Sequence, residues 1–245
     1  MLEQTFEPVS SRTTIQDGVY QRLRRALMTG GFEPDQTLTI SSLAETFGVS
    51  QMPVREALRR LAAANALEVA ANGSSCVPAV SRAKLDDLCR ARIAIEGLAT
   101  ELAAPRIDSA AIRALRGNVA EHDALSDEKD EKNVYDMLIK NQEFHFGIYC
   151  ASGSDVLMQI IETLWLRFGP YMRLLTRHME QQLMGEGARK FTMRHRMVIT
   201  ALENGDAAKA RDAIVEDIAA TQALLWDLDF SAAATNAAVA RRRSA

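Results

Sequence analysis

The stretch Gly48–Leu61, GVSQMPVREALRRL, leaves the chain little freedom. A glycine closes a preceding helix because it enters the left-handed region without strain. Ser50 stands where a helix cap is needed, and Pro53 falls in the first turn, where a missing N–H costs little. Val54, Leu58 and Leu61 recur at i, i+4 and i+7, so one face of the new helix is apolar. Arg55, Arg59 and Arg60 fall opposite. A helix this short is marginal alone in water. Its apolar face must be covered by neighbouring segments, and those neighbours decide the fold.

The segment from Ile15 repeats an apolar face through Val19, Leu23, Ala26 and Leu27, with Thr14 as cap and Gly30–Gly31 as stop. FEPDQTL reads as a turn, since Pro34 and Asp35 do not continue a helix. SSLAETFG reads as a short helix with Ser41 or Ser42 as cap, Leu43 and Phe47 inward, and Gly48 as terminator. After Leu61 two short apolar runs, LEVAA and SCVPAV, flank Asn72-Gly73, a strong hairpin signal. Helix, helix, turn, helix and hairpin across residues 15–80 make a winged helix-turn-helix.

From Ser81 the strand signals vanish. Helical patterns run near 82–104, 108–125, 130–151, 155–178, 187–203 and 206–228, broken at APRIDS, SDEKDEKN, ASGSD, GEG and NGD. Short links between six helices predict an antiparallel bundle over residues 81–230. The fold class is therefore mainly α: an N-terminal winged helix-turn-helix and a C-terminal all-helical, six-helix bundle. Residues 1–14 read as a flexible lead-in. Residues 231–245, rich in small residues and ending near three arginines, read as a disordered tail.

The formal net charge of -3 excludes a chain that coats nucleic acid by bulk charge. Residues 1–80 hold seven Lys/Arg against eight Asp/Glu, so any DNA contact needs a local patch. No apolar run approaches the roughly 20 residues of a membrane span, and the N-terminus lacks a signal-peptide pattern. Three cysteines, Cys76, Cys89 and Cys150, without C-x-x-C spacing argue against a disulfide framework or structural zinc and fit a reducing cytoplasm.

QRLRRALMTGGFEPDQTLTISSLAETFGVSQMPVREALRRLAAANALEV resembles the winged-helix domain of GntR-family bacterial transcription regulators. The helical remainder is similar to the effector domain of the FadR subfamily, the FCD type, through RARIAIEGLATELAA, NQEFHFGIYCASGSDVL and RHRMVITALENGDAAKARDAIVEDI. The resemblance implies a DNA-binding regulator, a homodimer on a double-stranded operator, and a small carboxylate-type effector. The third helix is then the recognition helix. Ser50 and Gln51 stand at its N-terminus, where backbone N–H groups favour phosphate. Gln51 suits adenine, and Arg55 suits guanine or phosphate. Arg59, Ser41 on the second helix, and Asn72 and Gly73 at the wing tip complete the expected DNA face. The family commonly carries arginine where this chain has Ser41 and a basic residue where it has Gln51.

The resemblance also implies an effector pocket. Four positions that in the family are usually Asp, His, His and His are here Asn141, His145, His195 and Asp217. Two imidazoles and a carboxylate suit zinc, nickel or manganese. The amide of Asn141 suits hydrogen bonding better, so a metal site and a metal-free polar pocket both stand at this point. Arg92 falls where the family places a pocket arginine, suited to a bidentate carboxylate; Glu96, one turn on, is an alternative partner. Tyr135, Trp165 and Arg173 are further lining candidates. Two rival functions are a helical metal-dependent hydrolase around His145, His195 and Asp217, and a protein-interaction module. No additional general base is evident for the hydrolase, and it leaves the winged helix unexplained. An enzyme is not expected.

Overall fold

The computed structural model describes residues 15–70, 73–127, 131–182, 186–228 and 230. The expectations for 1–14, for Asn72 and for 231–245 lie outside the described residues. Helix α1 (Ile15–Met28) leads to strand β1 (Thr37–Leu38), α2 (Ile40–Phe47), α3 (Gln51–Ala63), and the strands β2 (Glu68–Val69) and β3 (Ser75–Cys76). Six helices follow: α4 (Arg82–Ala103), α5 (Ser109–Asp127), α6 (Glu131–Cys150), α7 (Asp155–Gln182), α8 (Glu186–Glu203) and α9 (Ala207–Trp226).

Gly48 ends α2 at φ 62°, with its N–H bonded to Glu45 O, as the left-handed stop requires. Val54, Ala57, Leu58 and Leu61 of α3 are buried against Val19, Leu23 and Leu27 of α1. Two local expectations are corrected. The cap of α2 is Thr39, not Ser41 or Ser42: its hydroxyl accepts the Ser42 N–H at 3.4 Å, because extended β1 delivers Thr39 in the β region ahead of the first turn. FEPDQTL is more than a turn. Its last residues form β1, which joins the hairpin in a three-stranded antiparallel sheet of order β1-β3-β2. Two residues are too few to show strand alternation, so nothing in the sequence marked β1.

In the helical part α4 packs on α9 and α7, α5 on α6 and α8, and α8 on α9. A second seam, α1 against α7, joins the two parts into one continuous apolar core. The approach there is close enough to need glycine. A Cβ built on Gly169 of α7 would stand 1.9 Å from the Leu27 carbonyl oxygen, and one on Gly30 would stand 2.6 Å from the Arg173 nitrogen. Around this contact Glu33 accepts from Arg173 Nε at 2.8 Å, Thr29 donates to the Tyr135 hydroxyl at 3.1 Å, and Arg24 pairs with Glu162. Tyr135 and Arg173 are therefore committed to the seam and not to a pocket lining. Thr29 and Glu33, in the segment just after α1, are the polar partners that hold these two side chains there.

Candidate functional site

On the winged part, Gln51 and Arg55 project from the start of α3 into solvent, and Ser41 and Ser50 are likewise exposed. Ser50 occupies the cap position in extended conformation, but its side chain makes no capping bond, so its hydroxyl and the first-turn N–H groups face outward. The three arginines differ. Arg59 is exposed but held bidentately by Glu56, with Nη2–Oε1 at 2.6 Å and Nε–Oε2 at 2.9 Å. That hydrogen bond lowers the Glu56 carboxyl below its ordinary pKa. Arg60 turns back toward α1, 3.1 Å from Asp17 and stacked 3.8 Å over the Tyr20 ring. It is a packing residue, not part of an exposed basic face. Arg55 alone among the three has no ion pair among the described residues. Gly73 is exposed at the wing turn at φ 81°.

The helical part encloses a cavity lined by Arg92 (α4), His122 (α5), Asn141 and His145 (α6), Trp165 and Phe168 (α7) and Asp217 (α9), among others. About 30 Å³ is open to the centres of water-sized molecules, enough for an ion with a water or two. Asn141 and His145 share a face because they stand one turn apart. His195 comes from α8, which packs on α9, and Asp217 from α9 itself. Asp217 Oδ2 lies 3.3 Å from His145 Nε2 and 3.8 Å from His195 Nε2. One ligand atom from each of the three lies within 4.8 Å of the others, and all three residues are buried. Burial pushes the His195 imidazole down to about 3 against the pull of Asp217, so it is neutral. Burial pushes the Asp217 carboxyl up, but the neighbouring imidazoles outweigh it and hold the group below its ordinary pKa.

Beside these three lies a buried network. Glu96, fully buried, accepts from Arg92 Nε at 2.6 Å and Nη2 at 3.2 Å, from Trp165 Nε1 at 3.2 Å and from the Tyr149 hydroxyl at 2.5 Å. The guanidinium of Arg92 also stacks 4.1 Å over Phe168 and 4.9 Å over Trp165. Tyr149 in turn contacts His145 Nδ1 at 3.0 Å. Burial and Glu96 raise Tyr149 well above its ordinary pKa, so it remains a phenol. Of the two partners open to Arg92 in sequence, Glu96 is the one it holds.

Two participants, His122 and Tyr149, were not singled out in sequence, and Glu96 was named only as a partner for Arg92. His122 lines the cavity, nine-tenths buried, and its Nδ1 has no hydrogen-bond partner among the described residues. Burial drives its pKa down to about 4 against Asp123. Tyr149 was findable: it stands four residues after a candidate, His145, and so on the same helix face. His122 carried no such signal, since only tertiary packing brings α5 to the cavity.

Comparison with known proteins places the chain among described families. The FCD domain profile matches residues 87–220, and that of the bacterial regulatory proteins, gntR family, matches residues 15–77. The HTH-type transcriptional regulator McbR of Escherichia coli is 28% identical over 204 residues, covering 83% of this chain and 89% of that protein. The HTH-type transcriptional repressor GlaR of Escherichia coli is 30% identical over 152 residues, 60% of this chain and 67% of that one. Among solved structures, Escherichia coli McbR/YncC superposes with a TM-score of 0.80 at 27% identity, covering 88% of this chain and 98% of that one. A transcriptional regulator from Rhodococcus sp. RHA1 shares the fold, with a TM-score of 0.68 at 16% identity over 87% of this chain and 98% of that one.

Proposed function

The chain belongs to the GntR family of bacterial regulatory proteins and carries an FCD effector domain, and from that premise we propose how its two parts work. It is a transcription regulator and not an enzyme. Residues 15–80 form the DNA-binding unit and residues 81–230 the effector-binding unit. Gln51 and Arg55 read base edges from the N-terminal turns of α3. Ser41, Ser50, Arg59 and the wing tip at Asn72 and Gly73 contact phosphates, Arg59 by exchanging Glu56 for a phosphate oxygen. That exchange is cheap, since a solvent-exposed ion pair contributes little net stability. With so few cations in residues 1–80, one unit makes few phosphate contacts. A homodimer on two half-sites multiplies them.

The effector domain holds a divalent ion, zinc, nickel or manganese, on His145, His195 and Asp217. The convergence of those three buried ligand atoms carries this reading. Donors ~2.1 Å from one tetrahedral ion stand ~3.4 Å apart. The measured 3.3 and 3.8 Å from Asp217 to the two imidazoles fit that spacing. Two neutral imidazoles and one carboxylate leave positions open. Asn141, half-buried on the cavity wall, supplies hydrogen bonds to the occupant. The ion would supply positive charge for a carboxylate oxygen of a small organic-acid effector. Arg92, neutralised by Glu96, shapes the pocket with Trp165 and Phe168. Metal analysis of protein purified without chelator, followed by dialysis against each of the three ions, tests the reading. Protein that arrives metal-free and takes up none of them leaves a polar pocket only. Gel retardation on palindromic DNA, lost at raised salt, tests the DNA-binding unit separately.

A further inference from the structure

We propose that Glu96 and Tyr149 are positioning residues of the cavity: they fix the tautomer of His145, so that its Nε2, the atom facing Asp217, is a bare ligand nitrogen. This rests on the reading of His145, His195 and Asp217 as an ion site. The argument is a count of protons. Glu96 is ion-paired bidentately with Arg92 and buried, so it is a carboxylate with acceptor capacity only. The Tyr149 hydroxyl, 2.5 Å away, has one hydrogen and gives it to Glu96 Oε2. Its oxygen can then only accept from the second neighbour within reach, His145 Nδ1 at 3.0 Å. Nδ1 therefore carries the hydrogen. In a neutral imidazole that leaves a lone pair on Nε2, 3.3 Å from Asp217 Oδ2. A lone pair facing a carboxylate oxygen at that distance repels it unless a cation lies between. Arg92 thus has a definite task. It keeps Glu96 ionised, and the order of donation runs from His145 through Tyr149 to Glu96.

The relay also explains why so polar a set is buried together. A metal-bound histidine whose other ring N–H is held by a fixed acceptor is oriented and more basic, and loss of such a partner typically costs 10–100-fold in metal affinity. In Tyr149→Phe the ring remains but the acceptor is gone, so the hydrogen of His145 moves to Nε2 and donates to Asp217. In Glu96→Gln the side-chain amide donates to the tyrosine oxygen. The tyrosine hydrogen then turns to Nδ1, with the same result at Nε2.

Two measurements decide. Zinc and nickel affinity, by competition with a chromophoric chelator, is expected to fall about 10–100-fold in Tyr149→Phe, with a cooperative melting transition retained. Nitrogen-15 spectra of the metal-free wild type at pH 8.5 are expected to show the hydrogen of His145 on Nδ1 and Nε2 bare. Tyr149→Phe binding metal as tightly as wild type, or a wild-type spectrum with the hydrogen on Nε2, overturns the proposal. Wild-type protein that binds neither ion refutes the ion site instead, and the spectrum still decides the tautomer. If Tyr149→Phe does not fold, the wild-type spectrum alone decides.

Discussion

Replacing Gly169 by alanine tests the seam between the two parts, because two opposing effects meet there and the structure says which wins. In the interior of α7 alanine favours helix over glycine by up to ~1 kcal/mol. Against this, the new Cβ would lie 1.9 Å from the carbonyl oxygen of Leu27 and 2.8 Å from its carbon. Both obstructing atoms belong to the backbone of α1, so no side chain can swing aside. Relief needs α1 and α7 to part by more than ~1 Å, which loosens their packing and the Arg173–Glu33 contact. Overpacking of this kind costs ~1–3 kcal/mol or more. The helix gain is outweighed, and the net loss is ~1–2 kcal/mol. At ~2–4 °C per kcal/mol for a chain of this size, the transition that separates the parts falls by roughly 2–8 °C in scanning calorimetry. Amide exchange in α1 and α7 should speed up together. Gly117, exposed on α5 with nothing within 4 Å of a built Cβ, is the control, and Gly117→Ala should stabilise by up to ~1 kcal/mol. A Gly169→Ala protein melting at or above wild type refutes the seam as drawn.

Arg55→Ala should weaken operator binding by ~1–3 kcal/mol if the arginine reads a base, whereas Arg60→Ala should act on the stability of the winged part through lost packing on Tyr20; equal loss of DNA affinity in both would contradict this division. Asn141→Asp should tighten metal binding on the order of tenfold by adding a charged oxygen, read by chelator competition. Stability should fall as the pH drops from about 6.5 toward 4, because His122 is neutral in the folded protein down to about 4 while the unfolded chain takes up its proton near the ordinary value. The unfolded state then binds more protons, so the part of the loss due to His122 grows with acidity to at most ~3 kcal/mol, and His195, held neutral down to about 3, adds its own share over the same range. His122→Leu should flatten that part of a urea midpoint-against-pH curve, and an unaltered slope would show that His122 is not its source.

The long helices were legible because their apolar faces and breakers agree. The expected 82–104 appears as Arg82–Ala103, and 206–228 as Ala207–Trp226. The glycine stop at 48 was legible for the same reason, being a local conformational requirement. What escaped was set by tertiary contact. β1 exists only because β3 is there to pair with it. Arg60 looked like one of three exposed arginines until α1 supplied Asp17 and Tyr20. His145, His195 and Asp217 were named by likeness to a family. Their reach of one another depends on α8 and α9 packing, which no spacing within one helix encodes. Glu96 shows the intermediate case. Its place beside Arg92 was readable from the i, i+4 interval, but that it would hold Trp165 and Tyr149 as well was not.

One helix is common to both functional regions. Trp165, Phe168, Met172 and Leu175 of α7 line the cavity, while Glu162, Gly169 and Arg173 meet α1 and the turn that follows it. At about 100° per residue the two sets lie on adjacent faces, roughly 100° apart around the axis. Only about 30 Å³ of the cavity admits the centres of water-sized molecules, too little for a small organic molecule. An effector must therefore displace wall side chains, and four of those wall positions are on α7. On the adjacent face α7 cannot yield toward α1, because backbone already meets backbone at Gly169. A shift of α7 is then passed to α1 as a rigid step and not absorbed, since close-packed interfaces change between discrete arrangements. α1 packs directly on α3, so the orientation of Gln51 and Arg55 follows it. For an effector to regulate by this route it must bind one placement of α7 better than another, and the ratio of those affinities sets the largest change in operator binding it can produce.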